Sequence, residues 1–99
     1  MDEATTSFIA ECFWPGVTDA KVADLEARAR ASAGKLRQAG ELVHYVGSIL
    51  MREDEVLLCQ FEGAGDAVRR AAELAEVPFE RIVETANSPW PQSRNGGTR

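Results

Sequence analysis

Histidine occurs once in these 99 residues and cysteine only twice, and that scarcity removes most metal chemistry at the outset. Cys12 and Cys59 are too far apart for zinc-ligand spacing. No nucleophile elbow, phosphate loop or metal-binding motif occurs either. No apolar run approaches the ~20 residues that span a bilayer. The first residues, Met1-Asp2-Glu3, are acidic and lack the positive segment and apolar stretch of a secretory signal. The expected compartment is therefore the cytoplasm, where both cysteines stay reduced and read as small core hydrophobes. Clustered basic residues are also missing. A net charge of −5 repels a phosphate backbone, so neither nucleic acid nor a membrane is an expected partner.

What is present is a soluble globular composition, 44% hydrophobic and 27% charged, over a length that suits one domain. Residues 7–14, SFIAECFW, favour a strand that stops at Pro15-Gly16. Thr18 offers a cap and Asp19 suits the first turn of a helix. Val22, Leu25, Ala29, Ser32 and Leu36 then recur at helical spacing, which predicts a helix from about 19 to 39, closed at Gly40. LVHYVGSILM and VLLCQF are β-rich runs on either side of the charged segment Arg52 to Glu55, which reads as a hairpin. GAGDAVRRAAELAEV opens with a turn and sets Val68, Ala71, Ala72, Leu74 and Ala75 on one side of a second helix ended by Pro78. RIVETA, 81–86, is the last strand. Residues 87–99 read as a flexible tail with Trp90 as its one sizeable apolar group. Residues 1–86 thus form a single domain.

The order strand, helix, strand, strand, helix, strand is that of a split βαβ unit. The expected fold is α+β and ferredoxin-like, with two helices on one face of a four-stranded antiparallel sheet. The other face is bare, and a homodimer forming an α/β barrel is the expected way to cover it. Strand parity sorts the faces. Leu57, Cys59 and Phe61 suit the helices, as do Phe8, Ala10, Cys12 and Trp14. Ile9, Glu11 and Phe13, with Val56, Leu58, Gln60 and Glu62, fall on the open face. Parity adds His44, Val46, Ser48 and Leu50, and Ile82 with Glu84, unless a bulge inverts it.

Among these, Glu11 is a carboxylate set among Phe, Ile, Ala, Cys and Trp, and such a group must find a partner, stay protonated or serve a ligand. Its alternatives are pairing with an arginine or lying in water at the sheet edge. His44 reads first as one polar residue on a half-buried strand, and Glu62 as the end of its strand before Gly63. EARARASAGKLRQ, beginning at Glu26, reads as a solvated helix face of mixed charge.

Three segments, FIAECFWPGVT, HYVGSILMREDEVLLCQFEG and DAVRRAAELAEVPFERIVE, together resemble a family of small ferredoxin-like proteins labelled nickel-binding and otherwise of unknown function. The resemblance covers about residues 7–86. It rests on Glu11 before the aromatic-Pro-Gly turn, Tyr45-Val46 with Ser48, Cys59 with Phe61-Glu62, and Pro78 through Glu84. It implies the fold and the dimer, and its label brings in nickel. Nickel favours imidazole, however, and with one histidine the chain offers at most a mixed oxygen and nitrogen site from Glu11, His44 and Glu62, or two copies of His44 brought together by a dimer. Nickel is therefore not the expected ligand.

Three functions are open at this point. One is a ligand-binding protein with a mostly apolar pocket on the open face, formed by Ile9, Phe13, Val46 and Leu58 and marked by Glu11, His44, Ser48, Gln60 and Glu62, for an unidentified small molecule and without a cofactor. The second is a cofactor-free isomerase, cyclase or monooxygenase using Glu11 or His44 as acid and base. The third is a subunit that assembles with other proteins through Trp90.

Overall fold

The computed structural model describes residues 6–85. The tail expected over 87–99, with Trp90, lies outside the described residues. The elements run β1 (Thr6–Phe13), α1 (Asp19–Gln38), β2 (Val43–Met51), β3 (Val56–Gly63), α2 (Gly65–Leu74) and β4 (Arg81–Glu84). The strands form one sheet in the order β2-β3-β1-β4, and every pairing is antiparallel. With helices between β1 and β2 and between β3 and β4, this is the ferredoxin-like βαββαβ fold.

Local chemistry sets the element ends. The Thr18 hydroxyl accepts the Lys21 amide at 3.2 Å and caps α1, with Asp19 in its first turn. At the other end Gly40 takes φ +92, and the Gly40 and Glu41 amides reach back to the Arg37 and Leu36 carbonyls at 2.9 and 3.0 Å. That is a Schellman close, which glycine enters without a Cβ clash. α2 ends the same way, with the Glu76 and Val77 amides on the carbonyls of Glu73 and Ala72, both at 3.0 Å. There the left-handed residue is Glu76, at φ 58. The helix therefore stops at Leu74, short of the end expected at Pro78, and Leu74 is 56% exposed rather than part of the apolar face.

The helices meet through small residues. Ala29, Ser32 and Ala33 of α1 and Ala71 and Ala72 of α2 are buried, and the Ser32 hydroxyl contacts the Ala71 carbonyl at 2.8 Å. Beneath them Leu25, Leu57, Val43, Val68, Phe61 and both cysteines are sealed from solvent. The Tyr45 ring meets Phe61 edge-on with centroids 5.1 Å apart. The cysteine reading holds: Cys12 and Cys59 are free thiols in this core. A hydrogen bond with Cys12, and then burial, push the Cys59 thiol upward.

Pairing register corrects two sequence assignments. Ala10 stands opposite Ile82 and Phe8 opposite Glu84, so Ile82 and Glu84 belong to the helix side, and Arg81 and Val83 to the open face. In β2 the register slips between Tyr45 and Gly47, so Val46 is the extra residue of a bulge. Parity inverts beyond it. His44 keeps its place on the open face, whereas Ser48 and Leu50 turn toward the helices and Gly47, Ile49 and Met51 take the open side.

Candidate functional site

Reading the ladders across the sheet builds the open face row by row. Met51, Val56 and Phe13 form one row, and Ile49, Leu58, Glu11 and Arg81 the next. Gly47, Gln60, Ile9 and Val83 form the third, and His44, Glu62 and Ser7 the last. The first rows carry large apolar groups into solvent: Phe13 is 54% exposed, Ile49 64% and Met51 39%. Val46 on the bulge is 46% exposed.

The third row contains a gap. Gly47 has no side chain, and nothing lies within 4 Å of where a Cβ would sit. A depression of about 220 Å³ opens there, lined by Ile9, Gly47, Ile49, Leu58 and Gln60 with the Ser48 segment. Its walls are hydrocarbon, and the Gln60 amide is the polar side-chain group on them that can donate and accept.

The expected site residues therefore divide. Leu58 and Gln60 line the depression, with Ile9. Glu11 sits one row away and holds Arg81 at 2.6 Å, which is the pairing alternative that the sequence left open; the same contact raises the pKa of Arg81. Phe13 is at the apolar end. His44 and Glu62 face each other at the far end of the sheet, apart from the depression. Among the described residues no three His, Cys, Asp or Glu side chains come together as a metal site. Nor is any described helix long and apolar enough to cross a membrane.

Ser48 is the correction with the largest consequence. Turned to the helix side by the bulge, its hydroxyl donates to Glu26 Oε2 at 2.5 Å, and the Tyr45 hydroxyl donates to the same oxygen at 3.1 Å. Glu26 thus leaves the solvated face that the charge pattern suggested. The signal was present: Glu26 is four residues after Val22 and three before Ala29, at the border of the buried stripe. Arg28 leaves that face as well, donating to the Ala75 carbonyl at 2.8 Å. Gly47 was likewise missed, since a residue without a side chain gives parity nothing to sort.

No family model matches the chain, and no curated protein matches it. Among solved structures, the crystal structure of SCO4226 from Streptomyces coelicolor A3(2) is similar, with a TM-score of 0.60 and 21% identity over 83% of this chain and 98% of that one. At that identity the likeness supports the ferredoxin-like architecture and nothing finer.

Proposed function

We propose that this chain binds a small, mostly apolar molecule in the Gly47 depression, and that a second copy of the chain laid over the open face closes the site. The observation that carries the reading is the gap itself: an open sheet surface with a hydrocarbon-walled hollow, one amide on its wall and no side chain at Gly47. An apolar cavity of about 150 Å³ accommodates a benzene ring, so about 220 Å³ suits a single substituted ring whose one polar group meets Gln60. Binding fits better than acid–base catalysis. Glu11 is engaged by Arg81, His44 is on another row, and the polar side chain at the hollow is an amide that does not titrate.

The test is a ligand-observed NMR screen of monocyclic aromatic and alicyclic compounds against the full chain, repeated with Gly47→Leu. The leucine side chain fills the hollow, so compounds that bind the native chain should lose their signal with the variant. Binding that survives Gly47→Leu places the site elsewhere. An empty screen with native protein removes the reading.

A further inference from the structure

The half-buried carboxylates Glu11 and Glu41 each hold an arginine, Arg81 and Arg70 respectively. Glu26 differs. It is half-buried at the seam between α1 and the edge strand β2, and its Oε2 is held by two neutral hydroxyls, those of Tyr45 and Ser48. Among the described residues no cation lies within 4.0 Å of it. Arg30, one turn further along α1, lies over the Tyr45 ring with its guanidinium carbon 5.2 Å from the centroid. Arg52 is taken by Asp19 at 2.7 Å.

The hydrogen-bond inventory turns this into a recognition pattern. A serine hydroxyl has one proton, and Ser48 spends it on Oε2, so its oxygen is left with lone pairs alone. Glu26 Oε1 is also acceptor-only. Glu26 and Ser48 line a depression of about 310 Å³, on the side of β2 opposite the Gly47 hollow, with Val22, Ala23 and Leu50 as apolar walls. The Asp19–Arg52 ion pair, whose charges offset each other, completes its lining. Adjacent acceptors, one of them charged, beside hydrocarbon complement a group with several donors and no acceptor on a short apolar stem. A primary ammonium has that character.

We infer that Glu26 and Ser48 form a second binding site, at the α1–β2 seam, for a primary alkylammonium group. The ammonium donates to Glu26 Oε1 and Ser48 Oγ, and its alkyl chain lies against Val22 and Leu50. Nothing in this site depends on the open face.

The test uses the 15N-labelled full chain titrated with n-butylammonium chloride, with butan-1-ol and tetramethylammonium chloride as controls. Saturable amide shifts over residues 22–26 and 48–50 should appear with butylammonium and not with the controls, the first lacking charge and the second lacking N–H donors. Glu26→Gln keeps the shape and an oxygen to receive both hydroxyls. It should weaken butylammonium by at least about tenfold, the loss expected for a hydrogen bond to a charged group. Ser48→Ala should weaken it less. If Glu26→Gln does not fold, Ser48→Ala and the two control compounds carry the decision. Equal shifts with butanol, binding unchanged in the variants, or no saturable shift with the native chain each overturn the site and leave Glu26 as a tie between α1 and β2. Gly47→Leu should leave this titration unchanged, so failure of the open-face reading and failure of this one are separable.

Discussion

Gly47 and Gly63 sit on β2 and β3, and their missing side chains answer opposite demands. A Cβ at Gly63 would lie 2.2 Å from the Leu42 carbonyl oxygen on a backbone held at φ +143, and both the clash and the strain fall on main chain that cannot give way. Gly63→Ala is expected to cost about 3 kcal/mol or more. At Gly47 a Cβ meets nothing, so Gly47→Ala should stay within about 0.5 kcal/mol of the native chain. Urea midpoints of the two variants measure the contrast. Similar losses at both positions would mean that Gly47 has a structural role, and the hollow would lose its best argument. Tyr45 is the one tyrosine in the chain, so its ionisation can be followed without overlap from another. Burial, with the nearby Cys59 and Glu26, raises its pKa well above its ordinary 10.0. A folded pKa above the unfolded one means that the unfolded chain loses the proton first. Stability from this residue is thus complete below about pH 10 and falls as pH rises beyond it. Phenolate absorbance should emerge together with unfolding, tracked by circular dichroism. A phenolate that forms at pH 10 while the fold persists would contradict the burial of Tyr45 behind α1.

At the scale of elements, the two helix ends show which stops the sequence declares and which it hides. Gly40 announced the close of α1, and that helix ends within a residue of its expected limit. Glu76 occupies the same left-handed position after α2, and a glutamate there signals nothing, so the sequence extends α2 to Pro78. Glu76→Gly relieves the Cβ crowding of φ 58 and should stabilise the fold by about 0.5–1 kcal/mol, after allowing for the extra freedom of glycine in the unfolded chain. Chemical denaturation decides it, and a destabilised variant would mean that the Glu76 side chain makes a contact worth more than the strain. Strands follow a similar logic. Alternation identified which residues of β1 and β3 share a side, and Leu57, Cys59 and Phe61 are buried as expected. Alternation cannot count a bulge, however, and one extra residue at Val46 exchanged the faces of Ser48 and Ile49. In β4 it had no anchor until Glu11 was found opposite Arg81. The fold was therefore legible from breakers, caps and periodicity. The sites were legible only in part, because Gly47 and the Glu26–Ser48 contact depend on register, which is set by pairing between distant segments.

For the molecule as a whole, the question is what lies on the open face. Four strands about 4.8 Å apart and up to roughly eight residues long, at ~3.3 Å per residue, make a surface on the order of 500 Å² in plan. Its apolar half, about 250 Å², is a patch that single chains also leave in water, so the case for a covering partner rests on how the exposed groups are arranged rather than on area alone. The exposed groups are concentrated at one end, where Phe13, Ile49 and Met51 occupy adjacent rows. The Ile49 row itself ends in the Glu11–Arg81 pair toward β4, and the last row holds His44 opposite Glu62, so the face has an apolar half toward Met51, Phe13 and Ile49 that polar groups border. A two-fold related copy matches such a surface because each apolar half can lie against its equivalent, and a closed pair exposes neither. Ile49, 64% exposed in the single chain, is the residue on which this proposal is most easily tested. Burying it in both copies contributes about 2 kcal/mol per side chain, and a glutamate in its place also brings two carboxylates into an apolar contact. Ile49→Glu should therefore weaken association by a thousandfold or more while the helix-side core, which Ile49 does not touch, keeps the fold. Light scattering should give twice the 10.8 kDa chain mass for the native protein and the single mass for the variant, with unchanged circular dichroism. Ligand binding at the Gly47 hollow should weaken in parallel, since half of its enclosure leaves with the partner. A native chain that is monomeric at micromolar concentration would defeat the dimer, and a monomeric Ile49→Glu that still binds with native affinity would show that the hollow works without a second copy.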